Sequence, residues 1–319
     1  MIEKTDLKFT NVPLSVLSRP TRVSARSEGS ATGIQWTWEY DAKGEALRGY
    51  SFNLWWGCVN VSQACELCWA RTVAHRRGVG WGPSARRHFL KDDNRKKLAG
   101  INRRAIREGR RIRVFPVDMG DWLEDLRSYR YKNPAHEWHG TGHPDADRLD
   151  IEREWLIEAF KTNDALDYLT LTTRPQNLVK LVGKSGLLDD LNNVWIGVTT
   201  EDQKCFDERW NYIRDLPNIL FLSVEPMRGR IVLPQSFLDL GGRGWVIAGG
   251  ESGPKDKVRP YALEDWRHLR DQCVEAGVPV FHKQLGVMPT LAGKVVPSKR
   301  HGGEPSEWLK EDRIRQWPR

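Results

Sequence analysis

The sequence predicts an α/β protein, a partial or full (β/α) TIM-like barrel with an N-terminal arm and a C-terminal extension. Short apolar runs alternate with helical patterns from residue 51 to about residue 285, the sequence form of repeated β-α units around a parallel sheet. Polar or glycine-rich segments follow those runs directly, as they do on the C-terminal rim of a barrel. At 319 residues the chain has room for one barrel with additions or for two average domains.

Taken in order, the first 50 residues, "RPTRVSARSEGSATG" in particular, read as a flexible arm leading into a Trp-rich entry. The barrel then runs over 51–286, with strands at "SFNLWW", "IRVFPV", "DYLTLTT", "NVWIGVTT", "ILFLSVE", "GWVIAGG" and "VPVFHKQ". Helices are expected near 69–78, 92–108, 151–163, 175–189, 203–215 and 262–277, the last with Leu263, Trp266, Leu269 and Cys273 in helical register. Leu216-Pro217 and Ala276-Gly277 are helix stops. "HEWHGTGHPDADRLD" reads as an inserted loop, and the polar, basic extension over 287–319 as packing back through Trp308, Leu309, Ile314 and Trp317.

No apolar run is long enough to span a bilayer, and the start lacks the basic-then-apolar form of a signal peptide, so a cytoplasmic protein is expected. Five cysteines, three of them crowded together, argue against a disulfide framework and for reduced thiols. The excess of 50 Lys+Arg over 42 Asp+Glu gives a formal charge of +8. It is concentrated in "RRHFLKDDNRKKLAGINRRAIREGRRIR", which suits either a nucleic-acid partner or the solvated face of long helices. Of 15 tryptophans, Trp36, Trp38, Trp55, Trp56 and Trp69 flank the cysteines, where rings can stack on bases, shield a cluster or simply pack a core.

The cysteine segment is "GCVNVSQACELCWA": Cys58, Cys65 and Cys68 in C-x6-C-x2-C spacing, on the loop after the first strand. With His75 they make a three-cysteine, one-histidine zinc set. That gives a non-catalytic alternative, a zinc-stabilised nucleic-acid-binding protein. Three thiolates also hold a cubane iron–sulfur cluster with one iron open to a chelating ligand.

Together with "LTTRP", "VWIGVTTEDQ", "LSVEPMRG", "VIAGGESGP" and "HKQLG", this loop resembles the radical S-adenosylmethionine superfamily. Within it the chain is most similar to a phage- and prophage-associated three-cysteine-motif family, and more distantly to the spore photoproduct lyases, which repair a thymine lesion in DNA. Two departures stand out: the first cysteine gap is six rather than three, and "PVDMGDW" occupies the place where many members carry Gly-Gly-Glu.

The resemblance implies a radical S-adenosylmethionine type barrel in which Cys58, Cys65 and Cys68 hold a [4Fe-4S] cluster. Reductive cleavage of S-adenosylmethionine would give a 5'-deoxyadenosyl radical that repairs or modifies a nucleic-acid base, DNA favoured over RNA. It implies an external electron donor and allows for a methyltransferase-like partner protein. Asp118 and Asp121 become candidates for the methionine amine, and Arg174 for its carboxylate or a substrate phosphate. Thr172, Thr173, Thr199 and Thr200 offer hydroxyls, and Glu201 an acceptor, to ribose or substrate. Gly249, Gly250 and Glu251 form a second site on the rim, and Glu225, Lys283 and Gln284 close the set. Cys205 and Cys273 are expected in helices outside the barrel as core or surface thiols.

Overall fold

The computed structural model describes residues 31–41, 44–132, 138–183, 190–298 and 300–318. Seven parallel strands form one sheet: β1 (Tyr50–Phe52), β2 (Ile112–Pro116), β3 (Leu166–Thr172), β4 (Val194–Thr199), β5 (Leu220–Val224), β6 (Gly244–Gly249) and β7 (Val280–Gln284). Each pairs with its neighbour in sequence, so the order across the sheet is the order along the chain, and β1 and β7 are the two edges of a partial barrel. Among the described residues the α-helices are α1 (Trp69–Arg76), α2 (Asp93–Glu108), α3 (Ala146–Thr162), α4 (Leu178–Val182), α5 (Gln203–Trp210), α6 (Gln235–Leu238) and α7 (Leu263–Glu275). Their ends follow local chemistry. Gly109 closes α2 with a left-handed φ of 61°, and Asp202 caps α5 by accepting the Cys205 N–H at 2.9 Å.

Strand alternation sorts the core into two parts. Ile112, Val114, Tyr168, Ile196, Val198, Leu222 and Val246 point outward into the main core with the helices. Phe115, Leu169, Trp195, Phe221, Trp245 and Phe281 point inward into an aromatic layer near the strands' N-terminal ends. β4 carries Gly197 opposite Phe221 because the ring occupies that space: a Cβ on Gly197 would lie 2.2 Å from Phe221 Cζ.

The arm and the extension fill this layer from below. Trp36 lies 4.9 Å from Phe115 and 6.3 Å from Trp245, ring centre to ring centre, and Trp317 lies 5.1 Å from Phe281. The Trp317 indole donates to the Trp36 carbonyl at 2.9 Å, joining the two chain ends. The extension packs more fully than its composition suggests. Asp312 is buried against Arg267, and Pro289–Leu291 pairs with Tyr261–Ala262 and Lys294–Val295, whereas Leu309 is exposed.

Other boundaries shift. The run "SFNLWW" breaks after Phe52, and Trp55–Trp56 turns away to pair antiparallel with His88–Phe89. The expected loop over 136–150 contains Trp138–Thr141, paired with Arg130–Lys132, and the start of α3. The helix expected over 175–189 is α4 preceded by a short turn, and 184–189 lie outside the described residues, as does most of the arm. Among the described residues no helix is long and apolar enough to cross a membrane.

Because Trp36 seals the lumen, Trp36→Ala is expected to lower the unfolding free energy by about 3–5 kcal/mol in a urea titration. Ile106→Ala, on the exposed face of α2, should change it by less than about 0.5 kcal/mol.

Candidate active site

The cysteine loop lies across the C-terminal ends of the strands, and most ties holding it there come from charged groups on those ends. Gly57 opens it with φ 117°, where a Cβ would meet Arg87 Cδ at 2.9 Å. Its N–H bonds the Met119 carbonyl just after β2. Glu124 accepts the Val59 N–H at 2.9 Å, and Arg174, just after β3, donates to the Val59 carbonyl at 2.5 Å and lies 3.5 Å from Cys58 Sγ. Glu201, after β4, reaches the Ala64 N–H at 3.5 Å. Arg259 donates to the Gln63 carbonyl at 3.2 Å and pairs with Glu66 at 3.3 Å, while its guanidinium is forked onto Glu251 after β6.

Beneath the loop is a nearly dry ion network. Arg174 Nη1 lies 2.7 Å from Asp121 and Nη2 3.7 Å from Glu124, and Arg87 pairs with Glu124 at 2.8 Å. Asp121 also accepts the Thr172 hydroxyl at 2.7 Å and the Thr173 hydroxyl and N–H at 2.8 and 2.9 Å. Burial alone would raise the Asp121 carboxyl, but Arg174 and these donors outweigh it and hold the group below the usual carboxylate range. At Glu201, burial is likewise outweighed by the nearby Ser62 hydroxyl and by Arg209, 3.0 Å away, and its carboxyl is also held low. Burial raises Asp118, against bonds from Asn53 and Ser51.

All three thiols are partly exposed. Burial, then the Glu124 charge, pushes Cys58 well above the usual thiol value against the pull of Arg174, and burial raises Cys68. The Cys65 charge adds to both shifts, and the three thiols share one loop. Among the described residues no group of three or more His, Cys, Asp or Glu side chains is placed to hold a metal ion, and His75 is exposed on α1. The thiols and His75 therefore do not converge on one point, as a single tetrahedral ion requires. Three thiolates on one loop are, by donor chemistry alone, the set that holds a cubane with one iron left open.

The candidate residues divide by what already occupies them. Thr172 and both oxygens of Asp121 are engaged in the network, and Glu251 is engaged with Arg259. Gly249 and Gly250 allow β6 and β7 to close on each other: a Cβ on Gly250 would lie 2.2 Å from the Leu285 carbonyl oxygen. Gln284 bonds the Gly250 carbonyl and Ser252 at 2.8 and 2.7 Å. By contrast the buried Thr200 hydroxyl and Glu225 Oε1 have no hydrogen-bond partner among the described residues. Glu225 Oε2 is in contact with Lys283.

Cys273 is buried in α7. Cys205, expected outside the barrel, sits in the first turn of α5 at the mouth, beside Glu201, and burial raises its thiol to about 12. Sequence reasoning missed Arg87, Glu124, Tyr129 and Arg259. Tyr129 accepts from Arg174 Nε at 3.2 Å. Arg87 was hidden in the basic run, and Glu124 follows "DMGDW" closely enough to have been read with it.

The profile of a family described as "Protein of unknown function (DUF5131)" matches residues 140–309, more than half of the 319 residues. The chain belongs to DUF5131. The matched region of this DUF5131 protein includes β3 to β7 and begins beyond the cysteine loop. None of the curated proteins matches its sequence. Among solved structures it is similar to "Spore photoproduct lyase complexed with dinucleoside spore photoproduct", at 12% identity and a TM-score of 0.43, over 72% of this chain and 75% of that one.

Arg174→Met leaves Asp121 and Glu124 without this partner and is expected to cost about 3–5 kcal/mol. Asp121 has a folded pKa below its unfolded value of about 3.9. Its contribution is therefore full above that value and lost as pH falls through the lower folded one. Urea titrations from pH 7 down to pH 3 should show a shallower acid loss in Asp121→Asn than in the parent.

Proposed function

We propose that this DUF5131 protein is a radical S-adenosylmethionine iron–sulfur enzyme acting on a nucleic-acid base. The observation that carries the reading is the placement of three thiols on a loop across the C-terminal mouth of a partial parallel barrel, lashed there by charges from β3, β4 and β6. Catalytic groups of barrel enzymes gather on that face.

Cys58, Cys65 and Cys68 would hold a [4Fe-4S] cluster, and Asp118, Thr200 and Glu225 are the rim groups offered to S-adenosylmethionine and substrate. When bound, the pair supplies reductive cleavage of the sulfonium and a radical able to take hydrogen from a substrate. The chain's own contribution is placement. Arg174 fixes the backbone at Val59 and touches the Cys58 sulfur, Glu201 fixes the backbone at Ala64, and the Glu251–Arg259 pair fixes it at Gln63. The raised Cys58 and Cys68 thiols must lose their protons for metal to bind, so loading favours higher pH.

A nucleic acid is supported by what surrounds the mouth. Trp69, next to Cys68, is 49% exposed, and Arg76 and Arg77 follow it on α1. Lys255 and Lys257 are exposed on the loop after β6. Aromatic faces with nearby cations suit stacked bases and their phosphates. The basic run over 86–113 contributes less. Arg87 and Arg113 are buried and Arg86, Arg95, Lys96, Arg104, Arg110 and Arg111 are paired within the protein, leaving Lys91, Lys97, Arg103 and Arg107 exposed on or beside α2.

Anaerobic purification with iron and sulfide analysis tests the cluster: about four irons per chain, lost in Cys58→Ala, Cys65→Ala and Cys68→Ala, is expected. One zinc and no iron would overturn it. Binding of a short single-stranded oligonucleotide should weaken steeply as salt is raised from 50 to 200 mM, in proportion to the phosphates contacted.

A further inference from the structure

Above its aromatic layer the concave face turns polar. Alternation carries Phe221 to Ser223 and Glu225 along β5 and just past it, Phe281 to Lys283 along β7, and Trp195 to Thr199 along β4. Ser223 and Thr199 are buried. Lys283 reaches Glu225 across β6, whose end, Gly249 and Gly250, carries no side chain. Lys283 uses one N–H on Glu225 Oε2, and an ammonium has three. Glu225 Oε1 is a buried carboxylate oxygen with no hydrogen-bond partner among the described residues.

Leaving such an acceptor unmade costs free energy, and more for a charged group. The buried carboxylates below the cysteine loop carry no such deficit: Asp121 and Glu124 each have both oxygens bonded. The Glu225–Lys283 pair thus offers, side by side, one strong acceptor and spare donors, in a lumen floored by aromatic rings. That is the complement of a planar ring edge carrying a carbonyl beside an N–H: the carbonyl accepts from Lys283 and the N–H donates to Glu225 Oε1.

We propose that Glu225 and Lys283 form the substrate-reading subsite of the mouth, and that its ligand is a lactam or imide ring edge, as on thymine or uracil. The assignment rests on the nucleic-acid reading only for the source of the ring. A half-buried ion pair also holds its two members in place, but that role leaves Oε1 unmatched.

The test uses the full-length protein and its tryptophan fluorescence. Oligo-thymidylate is titrated at low salt against the same oligomer carrying N3-methylthymine, which loses the N–H and keeps the carbonyls. About tenfold weaker binding of the methylated oligomer is expected, with the difference abolished in a Glu225→Leu/Lys283→Met double variant that retains the parent's circular dichroism and binds the methylated oligomer as the parent does. Equal binding of the two oligomers by the parent overturns the subsite and leaves the nucleic-acid reading standing. Absence of oligonucleotide binding overturns that reading instead, and the subsite is then decided with free thymidine and N3-methylthymidine. A preference for thymidine sustains the subsite, and equal or absent binding overturns it. Loss of binding to both oligomers in a folded double variant is a general contact and also overturns it.

Discussion

The structure turns on Arg174. Its guanidinium joins three things that have no covalent reason to be together: the end of β3, the Asp121 and Glu124 carboxylates beyond β2, and the Cys58 sulfur and Val59 carbonyl beyond β1. A planar fork with five donors can do this where an ammonium cannot. Buried in so little water, the arrangement has no cheap way to lose a member, because each partner would be left charged and unpaired. The cysteine loop is thereby positioned by the strand ends rather than by its own sequence.

The lumen is organised on the same principle of layers. Aromatic rings and the two chain ends fill the lower part, so the sheet gains a packed interior although β1 and β7 remain its edges. The upper part is then free to be polar. Gly197 belongs to the lower layer's packing, since the Phe221 ring takes the place its side chain would need. Gly249 and Gly250 serve the closure of β6 on β7, with Gln284 tying the two. These glycines were legible in the sequence as rim features, but their reason is packing against backbone.

Much of the fold could be read from periodicity because β2 to β7 are buried on both faces, which writes them as continuous apolar runs. The run "SFNLWW" misled for the opposite cause: its tryptophans satisfy a different partner, His88–Phe89, and nothing local marks the break. The cysteines, Arg174 and Glu201 were visible as site residues from their position after strands. Their partners were not. Arg87, Glu124 and Arg259 act across 37 to 196 residues of chain, on Glu124, Val59 and Gln63 respectively, and a one-dimensional pattern has no term for such pairing. The basic run carried a further ambiguity, since an arginine that neutralises a buried carboxylate is spelled like one that greets a phosphate.

The two kinds of charge at the mouth separate scaffold from ligand site. Asp121, Glu124 and Glu251 have their oxygens spoken for by arginines, hydroxyls and backbone N–H groups, and each bond they make holds the cysteine loop or the strand end beneath it. A ligand could engage them only by breaking those ties. Glu225 and Thr200 differ in having a buried polar atom without a partner among the described residues, at the ends of adjacent strands and within the same rim. A chain that satisfies its other rim carboxylates so completely has the means to satisfy these as well. Their deficit is best understood as capacity held for a molecule that enters from the mouth, where the bond withheld from folding becomes available to binding.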